Sequence, residues 1–239
     1  MKARWNSAER ELSTENPDTK NFEWWWGAWR GFIRCPECRA LMSLDAPCPV
    51  CAKDYRNAQS QVIIVDGREI HVPNTYNGPL DWSPYVMLKL MHREWLRPAT
   101  DGDSLGLPDR EPSPHVLVVL LFWTYFETLM TWFYETATHE LPTAVQGDLL
   151  TRYSSIGSRR DRLHRVLFST RHDDDLDQLG YTDVRRHLEK VQVQRNAFMH
   201  GNPEAIADAL VLSTVDLMPR FHEAWINSFN LRCARRPKK

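Results

Sequence analysis

The stretch from Val116 to Tyr134 constrains this chain more than any other, because Glu127 is the only charge in its nineteen residues. About 20 apolar residues suffice to cross a bilayer, so a membrane span is the first reading to weigh. A carboxylate at mid-span is costly, and no Lys or Arg brackets either end. The segment therefore reads as a buried helix at the centre of a mostly α-helical core. Its polar side chains fall into register: Thr124, Glu127, Thr128, Thr131 and Glu135 recur at three- and four-residue steps and form one narrow seam. A polar seam on a buried helix needs a polar partner.

A later helix supplies a candidate. Beginning near Thr182, it sets Val184, Leu188, Val191, Arg195 and Phe198 on one stripe. Arginine is rarely buried on such a stripe unless something pairs with it. The sequence predicts an ion pair between Arg195 and Glu127, either as part of a site or as a purely structural pair. Around Arg195 the chain reads R-N-A-F-M-H-G, residues 195–201. It offers a permanent guanidinium, an amide able to orient a neighbour (Asn196) and an imidazole that titrates near neutral pH (His200). On a continuing helix Arg195 and His200 stand about 140° apart. They converge only if the helix ends or bends near Gly201, or if a second subunit supplies one of them. Taken alone, His200 reads as a helix-terminal histidine favoured by the dipole.

R-N-x-x-x-H-G at a helix end, after a strongly apolar helix and before another long one, resembles the HEPN superfamily over roughly residues 114–230. The resemblance implies a helical bundle that forms a homodimer, with two copies of the motif facing each other across a shared cleft. It also implies metal-independent RNA cleavage. The ribose 2′-hydroxyl would attack the adjacent phosphate, leaving a 2′,3′-cyclic phosphate and a free 5′-hydroxyl. His200 would then be general base or acid, Arg195 would hold the phosphate, Asn196 would orient a neighbour or the phosphate, and Glu127 would hold Arg195. Toxin, antiphage-defence and RNA-processing settings follow from the same resemblance, with a protein partner or inhibitor. The alternative is a non-catalytic adaptor that binds RNA or a nucleotide and recruits partners.

With 30 basic and 31 acidic residues and a net charge of −1, the chain exerts no global pull on nucleic acid, so any footprint must be local. Arg159, Arg160, Arg162 and Arg165, with His164, Arg171 and His172 nearby, form one basic run. The tail, with Arg232, Arg235, Arg236, Lys238 and Lys239, forms another. Each reads equally as a solvated face or as a phosphate contact, and the first run is the candidate RNA surface. Asp173, Asp174, Asp175 and Asp177 read as an exposed loop, and adjacent aspartates there are not expected to converge on one ion. No phosphate loop, G-x-G-x-x-G, G-x-S-x-G or H-E-x-x-H occurs, so nothing in the sequence marks those enzyme classes.

Nearer the N-terminus, Cys35-Pro36-Glu37-Cys38 and Cys48-Pro49-Val50-Cys51 form two C-x-x-C pairs. Each such turn aims two sulfurs at one point, and two of them complete the tetrahedron that a structural Zn2+ prefers. Four thiolates leave no open position for catalysis. The pattern resembles a zinc ribbon with a short central loop, able to contact nucleic acid, protein or nothing. Trp24, Trp25, Trp26, Trp29 and Phe32 read as apolar cover for so small a module. Val62-Ile63-Ile64-Val65, Asp66-Gly67 and Arg68 to Val72 read as a hairpin on a two-residue turn that belongs with the ribbon.

Ser83-Pro84 starts a helix to Leu96, Pro98 to Pro114 is a linker, and Pro142-Thr143 opens a short helix to about Tyr153. Ser158 is expected to cap the basic helix. Asn202-Pro203 is expected to cap a last long one, with Pro219 kinking it. The expected organisation is an N-terminal ribbon module over 1–80, a connecting helix and linker over 81–112, and an HEPN-like helical domain over 113–239. The first residues show no apolar export signal, which points to a reducing, cytoplasmic setting. Cys233 is assigned no role.

Overall fold

The computed structural model describes residues 33–42, 46–55, 60–65, 68–73, 83–100 and 111–234. The tryptophan block, the Asp66-Gly67 turn, most of the linker and the basic residues after 234 lie outside them. In chain order the strands are β1 (Ile33–Arg34), β2 (Leu41–Met42), β3 (Ser60–Val65) and β4 (Arg68–Pro73). The helices are α1 (Ser83–Leu96), α2 (Val116–Ala137), α3 (Thr143–Arg152), α4 (Ile156–Ser158), α5 (His164–Phe168), α6 (His172–Gln178), α7 (Thr182–Met199) and α8 (Asp208–Cys233). A π-helical turn, Arg159–Leu163, joins α4 to α5, and a 3₁₀ turn, Pro203–Ala205, precedes α8.

The apolar segment forms α2, and the other helices are laid around it. Val118, Val119, Phe122, Phe126, Leu129, Met130 and Phe133 are at most 1% exposed. Burying side chains of this size is worth about 1.5–3 kcal/mol each, which is why a stretch so apolar takes the centre. α8 packs aromatic rings against it: Phe221 meets Phe122 edge to face at 5.0 Å, and Trp225 stacks on Trp132 at 5.5 Å. Leu88 and Met91 of α1 join the same core, as do Val184, Leu188 and Val191 of α7. By length and composition α2 could cross a membrane, and half of its most apolar window is buried inside the protein.

Several local expectations are corrected. Ser155, not Ser158, caps the basic helix, its hydroxyl accepting from the Ser158 backbone N–H at 3.2 Å. Asn202-Pro203 opens only the 3₁₀ turn, and α8 begins at Asp208 and continues through Pro219. The β3–β4 hairpin pairs Val65 with Arg68, which leaves two residues for the turn. It forms a sheet of its own, separate from the β1–β2 pair.

The acidic run is not a loop. Asp173, Asp174 and Asp175 occupy the first turn of α6, where carboxylates favour the positive end of the helix dipole. Asp174 accepts from the Arg171 backbone N–H at 3.0 Å, and Asp175 is fully buried. Asp175 is satisfied on both oxygens. His164 Nε2 donates to Oδ2 at 2.8 Å, Arg232 Nε to the same oxygen at 2.6 Å, and the Thr170 hydroxyl to Oδ1 at 3.0 Å. Burial pushes its carboxyl up, but the Arg232 and His164 bonds outweigh it and hold it well below the usual range.

Candidate functional site

A cleft of about 560 Å³ opens between α2, the residues that lead into α4, and α7. Trp123, Glu127 and Thr131 line it from α2, Ser154 to Gly157 and Arg159 from the α4 side, and Gln192, Arg195 and Asn196 from α7. Three of the four expected catalytic residues therefore meet in one place. His200 is not among the lining residues, and it is exposed.

The expected Glu127–Arg195 ion pair is not formed. Glu127 Oε1 accepts from the Trp123 indole N–H at 2.7 Å, one helical turn away on the same helix. Arg195 is half-buried at the edge of the core stripe and donates to Asn196 Oδ1 at 3.1 Å. The cationic partner of the α2 seam is Arg159, whose Nη1 donates to the Thr131 hydroxyl at 2.6 Å while its Nε donates to the Tyr153 carbonyl at 3.0 Å. Thr128 and Thr131 satisfy their own hydroxyls on the carbonyls four residues back, at 2.9 Å each. The seam therefore needs less from outside than its pattern suggests. No periodicity rule separates Arg159 from its basic neighbours. Arg159 stands at the first position of the π turn, directly after α4.

α7 ends where the sequence requires. His200 is the last half-helical residue and Gly201 adopts a φ of +93°. The Gly201 N–H reaches the Phe198 carbonyl at 3.0 Å and the Asn202 N–H reaches that of Ala197 at 3.0 Å, the paired bonds of a Schellman ending. Asn196 and His200 are one turn apart, so both stand on the exposed face of α7 with Val193, whereas Arg195 turns toward the cleft. Asn196 is the link, bordering the cleft and accepting from Arg195. The Arg195 guanidinium thus lies on one side of Asn196 and the His200 imidazole on the other.

The basic run divides in the same way. Arg160 is buried, binds Asp173 through Nε at 3.1 Å and through Nη2, and lies over the Phe126 ring. It is a core contact and presents no surface to RNA. Arg162 and Arg165 are exposed, the latter paired with Asp161 at 3.0 Å. His164 and His172 are buried.

Cys35, Cys38, Cys48 and Cys51 bring their four sulfurs within 4.8 Å of one another. Cys35 and Cys51 are 3.6 Å apart, and Cys38 and Cys48 are 3.5 Å apart. A tetrahedral ion with sulfur at about 2.3 Å needs separations of about 3.8 Å, so the donor set fits a metal ion. The two turns repeat one local geometry. The backbone N–H of Arg39 bonds the Cys35 carbonyl and that of Ala52 bonds the Cys48 carbonyl, each at 2.9 Å, and both residues take a positive φ. Burial pushes the Cys35 thiol up, but the backbone N–H of Cys38, the Tyr55 hydroxyl at 3.5 Å, the Glu37 N–H and Cys51 outweigh it and bring it to about 7.

This module is docked on the helices. The Asn230 side chain of α8 pairs with Leu41 like a neighbouring strand, accepting from its N–H at 2.6 Å and donating to its carbonyl at 2.9 Å. Arg34 lies 4.4 Å over the Trp132 ring and donates to Thr136 at 3.0 Å. Cys233 packs below, burial pushing its thiol up to about 12, as expected of an inert core cysteine.

Comparison with protein-family models, with curated proteins and with solved structures found no match.

Proposed function

We propose that this chain is a metal-independent endoribonuclease of HEPN type, acting as a cytoplasmic homodimer in a toxin-like or defence setting, with a structural Zn2+ held by the four cysteines. What supports this reading is the end of α7. Arg195 lines a polar cleft and donates to Asn196, and Asn196 shares an exposed face with His200 one turn on. Two copies meeting on that face would bring the imidazole of one beside the guanidinium of the other. In the reaction His200 takes the proton of the ribose 2′-hydroxyl or gives one to the departing 5′-oxygen. Such a step is typically worth about a hundred- to ten-thousand-fold. The 2′-oxygen bonds to phosphorus, the bond to the 5′-oxygen breaks, and Arg195 stabilises the charge that develops on the phosphoryl oxygens. Exposed Arg162 and Arg165 would contact the RNA backbone outside the cleft.

The position of His200 outside the cleft favours a second reading, a non-catalytic adaptor that binds RNA or a nucleotide and recruits a partner through the zinc module. An RNA cleavage assay in EDTA separates the two, with folding of every sample checked by circular dichroism. Cleavage that leaves a 2′,3′-cyclic phosphate, and that Arg195→Ala and His200→Ala each reduce by at least about a hundredfold, is the expected outcome. RNA binding that survives His200→Ala, with no cleavage by the wild type, selects the adaptor.

A further inference from the structure

We propose that Glu127 reads the base of the bound nucleotide and that the cleft is a guanine subsite, an inference that rests on the RNA-binding reading above and names its substrate preference. The cleft is of a size that holds one nucleotide, at about 560 Å³. Its two guanidinium groups, Arg159 and Arg195, suit a phosphate. A carboxylate does not, and Glu127 is ion-paired to neither arginine. Glu127 belongs to the other end of the ligand.

Its hydrogen-bonding state narrows the choice. An ionised carboxylate accepts only, with about two lone pairs per oxygen. Oε1 spends one on the Trp123 indole, and Oε2 has no hydrogen bond among the described residues. The group therefore offers two adjacent acceptors whose orientation the indole has already set. Guanine alone among the four bases presents two adjacent donors on its Watson–Crick edge, N1–H and the N2 amine. Adenine and cytosine place a ring-nitrogen acceptor beside their amine, and uracil flanks its N–H with two carbonyls. Each would leave a carboxylate oxygen facing an acceptor, which is how a site built for a donor rejects its analogues.

The test is isothermal titration calorimetry of the intact chain with 5′-GMP, AMP, CMP and UMP, and with inorganic phosphate as the base-free probe. GMP is expected to bind at least about tenfold more tightly than the other three. In Glu127→Gln, which still accepts from the Trp123 indole, the four affinities should fall within about threefold of one another while phosphate binding is unchanged. Equal affinities in the wild type, no nucleotide binding at millimolar concentration, or a preference that persists in Glu127→Gln would each overturn the inference. Guanine selectivity without RNA cleavage keeps the subsite and removes the nuclease reading. Cleavage with no preference for guanine beside the cut does the reverse.

Discussion

Buried histidines set the acid limit of this protein. His222 is 4% exposed, and its Nε2 accepts from the Tyr125 hydroxyl at 2.7 Å. Burial lowers its pKa to about 3. His172 is equally enclosed, and burial, then the charges of Arg160 and His164, lower it well below the usual value. Both fold as neutral rings, whereas in the unfolded chain they titrate near 6.5. Between those values the unfolded state binds more protons, so stability falls as pH drops below about 6.5, by up to about 1.4 kcal/mol per unit for each ring. Asp175 acts lower, since its depressed carboxyl loses its contribution only below about pH 4. Burial also lowers His187, to about 4. The urea midpoint should therefore drop between pH 7 and pH 5, before carboxylates titrate, and His222→Phe should flatten about a third of that slope. A midpoint unchanged over this range would contradict the assignment.

At the scale of elements, the end of α7 and the π turn after α4 do most to position the cleft. Gly201 carries a φ of +93° with nothing within 4 Å of where a Cβ would stand. Gly201→Ala therefore tests backbone strain alone, without a clash. It should cost about 1 kcal/mol and lower the melting temperature by about 2–4 °C for a chain of this size. Gly201→Asn should cost less, because asparagine tolerates the left-handed region. The glycine was legible because C-terminal helix signals are local. The π turn was not, since it has no composition of its own. Along it Arg159 lines the cleft and Arg160 enters the core, while Arg162 stays in solvent.

Across the whole molecule, the contacts between the four-cysteine module and the helical core include those of Leu41 and Arg34. Asn230 satisfies both backbone groups of Leu41, and Asn230→Ala would strand them at a cost of about 1–3 kcal/mol. The expected outcome is faster loss of metal to a colorimetric chelator with little change in far-ultraviolet dichroism, because among the described residues Leu41 is the one residue of the cysteine module in the buried core around α2. Full metal removal should expose the thiols of the four cysteines to titration and lower the melting temperature while most helical signal persists. A global loss of helicity on chelation would show that the module is instead required for the bundle to fold.

The sequence by itself determined what depends on neighbours within about five residues. The two C-x-x-C turns converged because each is a closed local geometry repeated twice. α2 took the centre because nothing else in the chain could bury so much apolar surface, and α7 stopped at its glycine. Only the tertiary structure decided which charges meet. Arg195, Glu127, Arg159 and the acidic run looked alike as charges in a pattern. Their roles follow from desolvation and distance, which depend on the helices packed against them: Asp175 is buried because Arg232, 57 residues away, reaches it. Among the described residues Glu127 has no ion-pair partner, and its Oε1 accepts from the Trp123 indole one turn back. A one-dimensional pattern states which side chains share a face, but the partner on the opposite face is set by packing.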